Sequence, residues 1–391
     1  MEDDERPSGQ LASLMVPDSD EDSAISVNDT QLSVISLTES DRDFVVENGR
    51  TYHSLSEGKY ILPNDEVSSW ILCTNSTYGS ASKALNQSVL HQEESDRLRM
   101  VPSDEFLFPE PELIWWNLLL DMQHHHFFIT FGGKIHFAPG ADRAHRVLDV
   151  GTGTGIWAID YGKLHSDAHP AAEVIGVDLS PIQPLYVPTN CRFELDDLEK
   201  EWTWSQPFDY IFSRMMVGSF SNFSHLAEES YQYLNPGGCI ELIDCIFPMA
   251  SDDGTLCEGQ ALKEFSDLIL QASINLGRPL NAASSHRETL IKAGYIGVTV
   301  LNYKWPTNRW PKDPKKKTVG LWTLANIGSS IEGLCMALMT RGLDWSKERV
   351  LAFLVDVRKD LHNTKIHAYW PIVVVYGQKP KSTSTTATAD S

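Results

Sequence analysis

Arg146-Val147-Leu148-Asp149-Val150-Gly151-Thr152-Gly153-Thr154-Gly155 runs from a short apolar stretch into a glycine-rich turn, with Ile156 opening a helical pattern behind it. The first five residues are continuous rather than alternating in character and carry β-branched side chains, as in a strand covered on both faces. The glycines carry no Cβ, so the turn can use positive φ and a ligand can approach the backbone closely. The helix that follows presents free N–H groups towards an anionic group.

Outward from this point the same strand character returns at Glu173 to Asp178, Cys191 to Leu195, Phe208 to Phe212 and Cys239 to Ile243. Helical patterns at Ile156 to Leu164 and Leu226 to Leu234 lie between some of them. Strands buried on both faces imply a parallel sheet with helices on either side. Ser285-x-x-Glu288 reads as a capping box that opens a helix closed by Gly294. Two late strands, Ile296 to Tyr303 and Tyr369 to Tyr376, flank an amphipathic helical stretch from Lys317 to Leu361 that breaks near Gly342-Leu343-Asp344. The expected fold is doubly wound, mostly parallel α/β.

A dinucleotide site calls for G-x-G-x-x-G, with pyrophosphate over the helix start. The spacing here is G-x-G-x-G, and Asp149 stands at the strand's end. A carboxylate there repels pyrophosphate and attracts the ammonium or sulfonium of S-adenosylmethionine. The next strand ends in Asp178-Leu179, where an acid can accept from both ribose hydroxyls; the third leads into Asp197-Leu198, where a carboxylate can meet the adenine amino group and the leucine can cover the ring. Acid tips on consecutive strands lie where open α/β sheets bind ligands.

This arrangement resembles class I S-adenosylmethionine-dependent methyltransferases, and more closely the fungal LaeA-like methyltransferases. The resemblance spans about residues 44 to 380. It includes Glu47-Asn48-Gly49-Arg50-Thr51-Tyr52-His53, Gly58-Lys59-Tyr60-x-x-Pro63-Asn64-Asp65-Glu66 and the segment from Gly151 to Ala158. It continues through Asp178-Leu179-Ser180-Pro181-Ile182-Gln183-Pro184, Asn235-Pro236-Gly237-Gly238 and Lys304-Trp305-Pro306. It implies a seven-stranded Rossmann-like sheet with an N-terminal helical lid, and S-adenosylmethionine as cofactor. Asp149 with Gly151, Thr152, Gly153, Thr154 and Gly155 would hold the methionyl part, Asp178 and Leu179 the ribose region, and Asp197 with Leu198 the adenine. Arg214 would lie near the mouth where methyl is transferred. The implied activity is methyl transfer to an unidentified small-molecule (secondary-metabolite) or protein acceptor. The alternative is a regulator of secondary metabolism working through protein partners.

The chain departs from that family between Glu66 and His124. Residues 67–92 and 99–120 look like inserts, the first Ser/Asn-rich and aperiodic, the second holding Leu113-Ile114-Trp115-Trp116. Two readings stand: translated introns, since Val67-Ser68 can encode a splice-donor-like sequence, or a family-variant insertion. The expected organisation is an acidic disordered tail over 1–47, a lid region over 48–145 with these inserts, the methyltransferase domain over 146–380 and a frayed tail over 381–391.

The 391 residues carry 32 basic and 53 acidic side chains, a formal charge of −21. That argues against a nucleic-acid groove, whose affinity comes largely from phosphate neutralisation. No apolar run approaches the ~20 residues of a spanning helix. Six scattered cysteines without a C-x-x-C pair fit free thiols in a reducing compartment, cytoplasm or nucleus. Lys315-Lys316-Lys317 reads either as an import signal or as a solvated helix start. No catalytic residue stands out. His124, His125 and His126 are candidate bases or a packed helix face, and no metal site is expected, since neighbouring helical positions do not share a face.

Overall fold

A computed structural model describes residues 44–47, 50–53, 111–166 and 172–381. Residues 1–43 of the expected tail over 1–47, the insert over 67–92, residues 99–110 of the second insert and the terminal stretch from 382 lie outside these residues.

Ten strands and eight α-helices are described. β1 (Phe44–Glu47) and β2 (Arg50–His53) form an antiparallel hairpin, so the strand character of the chain begins before the expected boundary at residue 47. Next comes α1 (Pro111–Thr130). Beyond it the chain alternates: β3 (Arg146–Val150), α2 (Ile156–Ser166), β4 (Glu173–Asp178), β5 (Cys191–Leu195), β6 (Phe208–Arg214), α3 (Phe223–Tyr233) and β7 (Leu234–Cys245). The two-residue β8 (Ala250–Ser251), α4 (Ala261–Asn275), α5 (His286–Lys292) and β9 (Ile296–Pro306) follow. α6 (Pro314–Thr323) passes through one π turn (Leu324–Gly328) into α7 (Ser329–Leu343), and α8 (Lys347–His362) leads to β10 (Ala368–Gln378).

The main sheet has the order β5-β4-β3-β6-β7-β10-β8, with β9 also paired to β10. β3 to β7 pair in parallel, and β10 runs antiparallel to β7, β8 and β9. This is the doubly wound, mostly parallel sheet the sequence implies. The seven expected strands are present, and Ala250–Ser251 adds an eighth too short to leave a sequence signal. Val147, Leu148, Val174, Ile175, Tyr210, Ile211 and Ile240 are fully buried, as strands covered on both faces require.

The helical stretch breaks at Asp344, which takes a left-handed conformation (φ 55°). The capping box is not made. Ser285 is already in a helical conformation, continuing from the 3-10 turn Ala282–Ser285, and its side chain caps nothing. Gly294 does end that helix, at φ 100°.

Candidate functional site

The carboxyl ends of β3, β4, β5 and β6 open on one cavity of about 260 Å3. Asp149, Gly151, Thr152, Gly153, Thr154, Asp178, Leu179, Asp197 and Leu198 all line it. Gly155, the remaining candidate, does not. It is buried behind the turn at φ 79°, where a Cβ would lie 2.6 Å from Cε1 of Phe193 and closer still to Cζ. Its role is to let the turn pack on β5.

The turn is held by its acids. The Thr152 hydroxyl donates to Asp149 Oδ2 (2.6 Å), and Gly153 N–H donates to Asp178 Oδ2 (2.8 Å) while Ser180 N–H donates to Oδ1 (3.0 Å). The Gln183 amide donates to the Gly153 carbonyl (2.6 Å). Burial pushes the Asp149 carboxyl up to about 7, opposed by the Thr152 hydroxyl and the nearby Arg214 charge. Burial also raises Asp178, against the pull of the Gly153 and Ser180 N–H groups. Burial thus disfavours the charged form of both carboxyls, and a cation bound in the cavity would favour it.

Arg214, the last residue of β6, is the one cation on the cavity wall among the described residues. Its guanidinium lies over the rings of Phe127 (5.0 Å) and Phe212 (5.9 Å). Beyond it, Met215 adopts φ 58°, and Met216, Val217 and Phe220 continue the wall. Asp244 Oδ1 holds this loop by accepting from Met216 N–H (2.7 Å) and Val217 N–H (3.0 Å), and its Oδ2 lies 2.9 Å from His286 Nε2 with both side chains fully buried. No pattern in the sequence ties Asp244 to His286. The partner of each is 42 positions away.

The lid helix α1 closes the cavity from one side through Leu119, Leu120 and Gln123. Asp121 Oδ1 accepts from the Thr154 hydroxyl (2.7 Å), and Asn326 in the π turn donates to the Leu119 carbonyl (2.8 Å). The ring of Trp305 stacks on His126 (3.8 Å between centroids), and its Nε1 donates to Thr130 Oγ1 (2.8 Å). Through Trp305, Lys304-Trp305-Pro306, one of the stretches that carry the resemblance, thus anchors α1. Residues 111–120, half of the apparent second insert, are the first turns of this helix, so a segment that looks foreign in the sequence supplies part of the wall.

None of the three histidines lines the cavity. His126 is buried against Trp305 and His124 between Arg214 and Asp160, and burial holds both below the usual imidazole range, His126 at about 3. His125 lies against Trp322. For His125 and His126 the structure supports the packed-face reading.

The rest of the wall is apolar. Cys245 and Phe247 at the end of β7, Phe265 and Ile269 of α4, Leu334 and Leu338 of α7, and Trp370 of β10 complete it. Along the sheet, acids therefore occupy β3, β4 and the end of β5, Arg214 stands on β6, and apolar groups occupy β7 and β10.

Residues 113–267 match the family described as "Methyltransferase domain". The chain is 33% identical to "Methyltransferase pytC" of Aspergillus terreus over 353 residues, covering 90% of this chain and 93% of that protein. It is 32% identical to "Secondary metabolism regulator LAE1" of Cochliobolus heterostrophus, covering 86% and 95%. It is 30% identical to "Protein-methionine methyltransferase laeA" of Emericella nidulans, covering 86% and 77%. With acid-tipped strands around a glycine turn and identity sustained over nearly the whole of these relatives, the chain belongs to the fungal LaeA-like class I S-adenosylmethionine-dependent methyltransferase family.

Proposed function

We propose that this methyltransferase acts on an apolar small molecule of secondary metabolism, taken up in the half of the cavity that β7, β10, α4 and α7 wall. The observation that carries the reading is the division of one cavity into a carboxylate-lined half and an apolar half.

The residues present fit S-adenosylmethionine. Gly153 has φ 57°, and a Cβ there would meet only Leu120 Cδ1 at 3.6 Å, so its absence leaves room between turn and lid. Asp149 would attract the methionyl ammonium, Asp178 and Leu179 the ribose region, and Asp197 with Leu198 the adenine. When bound, the cofactor supplies an electrophilic methyl on a positively charged sulfur. The chain's own contribution is to align the acceptor, exclude water and match charge. Among the described residues the wall holds no His or Lys.

A second reading, regulation through protein partners, draws support from the relatives named as regulators of secondary metabolism. Lys315, Lys316 and Lys317, at the start of α6 with the first two exposed, are compatible with import into the nucleus as well as with residence in the cytoplasm. No helix among the described residues is long and apolar enough to cross a membrane.

The test uses S-adenosylmethionine labelled in the methyl group, the full chain, and a metabolite-plus-protein extract of a fungal culture. Label that partitions into organic solvent and disappears with Asp149→Asn supports the proposal. Label found solely in precipitated protein refutes the small-molecule assignment.

A further inference from the structure

Arg214 is an expensive residue for this cavity. Of the acids on the cavity wall, Asp149 is the one whose charge acts on it, and its own surroundings are aromatic. An arginine so placed needs an anion, because a partly buried guanidinium with open donors loses hydration without full return. Among the described residues its side chain makes one hydrogen bond, from Nη2 to His124 Nδ1 at 3.2 Å. A guanidinium only donates, so Nδ1 must carry the lone pair and the ring proton must sit on Nε2. Nε2 in turn lies 3.2 Å from Asp160 Oδ2 on α2. Asp160 is partly exposed (43%) and His124 is not (7%), so the relay runs from the surface through the lid to the cavity. It orients Arg214, which itself lines the cavity.

Position along the sheet indicates what its guanidinium meets. β3 and β6 are hydrogen-bonded neighbours, with Asp149 opposite Phe212, two residues before Arg214. A carboxyl and a guanidinium thus stand on adjacent strand ends, beside the glycine turn and before the apolar half begins. An amino acid zwitterion presents the matching pair of charges.

We propose that Arg214, oriented by His124 and Asp160, binds the carboxylate of the methionyl arm of S-adenosylmethionine while Asp149 faces its ammonium. The proposal rests on the cofactor assignment above. It makes Arg214 a binding residue, and His124 and Asp160 positioning residues contributed by the lid and by α2. An acidic methyl acceptor bound at Arg214 is the competing outcome, and the experiment separates the two.

The experiment is calorimetric titration of the full chain with S-adenosylmethionine and with decarboxylated S-adenosylmethionine, which keeps the sulfonium and ammonium but lacks the carboxylate. The wild-type chain is expected to bind the intact cofactor about tenfold or more tighter, the usual worth of a charge-assisted contact. Arg214→Met should remove that preference, lowering affinity for the intact cofactor while leaving the decarboxylated one within about threefold. His124→Phe should lower the preference severalfold in the same sense, a selective change that general loosening of the lid would not produce. Equal wild-type affinity for the two ligands overturns the proposal in favour of an acceptor anion, and this comparison decides even where Arg214→Met does not fold. Equal loss of both ligands in a folded Arg214→Met chain also overturns it. Failure of the wild-type chain to bind either ligand overturns the cofactor assignment itself.

Discussion

Gly155→Ala tests whether the last glycine of the turn serves packing rather than ligand contact. Two costs add. An alanine at φ 79° sits in the left-handed region, at about 1–2 kcal/mol. Its new methyl would lie 2.6 Å from Cε1 of Phe193 and closer still to Cζ, where carbon atoms prefer about 3.5–4.0 Å, so the ring must shift by more than about 1 Å. Phe193 cannot swing out freely. It is buried at 7% exposure and also packs where Gly176 lacks a Cβ. Forced overpacking of this kind costs about 1–3 kcal/mol. The sum, about 2–5 kcal/mol, is a large share of a domain stability of about 5–15 kcal/mol. Gly153→Ala is the control, because it carries the backbone cost but meets only Leu120 Cδ1 at 3.6 Å. In urea titrations without cofactor, Gly155→Ala should lower the unfolding midpoint clearly more than Gly153→Ala. Adding Phe193→Leu should recover part of the packing cost and none of the backbone cost. Equal midpoints for the two alanine variants, with no coupling to Phe193, would refute the reasoning.

Asp149 is held at about 7 in the free site, and a bound cation lowers that value, so binding releases a proton below pH 7. Affinity for S-adenosylmethionine should therefore rise with pH by up to about tenfold per unit as pH 7 is approached, then level off. Calorimetry from pH 5.5 to 8.5 checks this, and Asp149→Asn should flatten the profile. Asp244→Ala strands the N–H groups of Met216 and Val217 and leaves buried His286 without its partner, at a cost of about 3–5 kcal/mol. Thermal unfolding measures the loss, and limited proteolysis should find the loop over 215–220 newly open. Trp305→Ala removes the stack on His126 and the hydrogen bond to Thr130, at about 3–5 kcal/mol. Faster amide exchange over Asp121 to Thr130, with the exchange of β3 and β4 unchanged, is the expected signature.

What the residues revealed in advance was local. β3, β4 and β5 begin and end where their apolar runs do, and the three acid tips converge on one cavity because parallel strands deliver their carboxyl ends to one edge. What stayed hidden was non-local or irregular. α1 shows no apolar stripe, because its contacts lie on several sides. Thr154 meets Asp121, Arg214 meets His124, Trp305 meets His126 and Asn326 meets Leu119. A helix enclosed in this way loses the period that reveals helices. The π turn, the Asp244–His286 pair and the missing cap at Ser285 depend likewise on packing between residues far apart in the chain or on the conformation of the preceding turn.

The division of the sheet has an evolutionary consequence. On the proposed reading, grip on the methyl donor depends on residues up to Arg214, whereas the apolar chamber draws on Phe265, Ile269, Leu334, Leu338 and Trp370. Gene duplicates can therefore drift in these later positions and acquire new clients while the methyl donor is held as before.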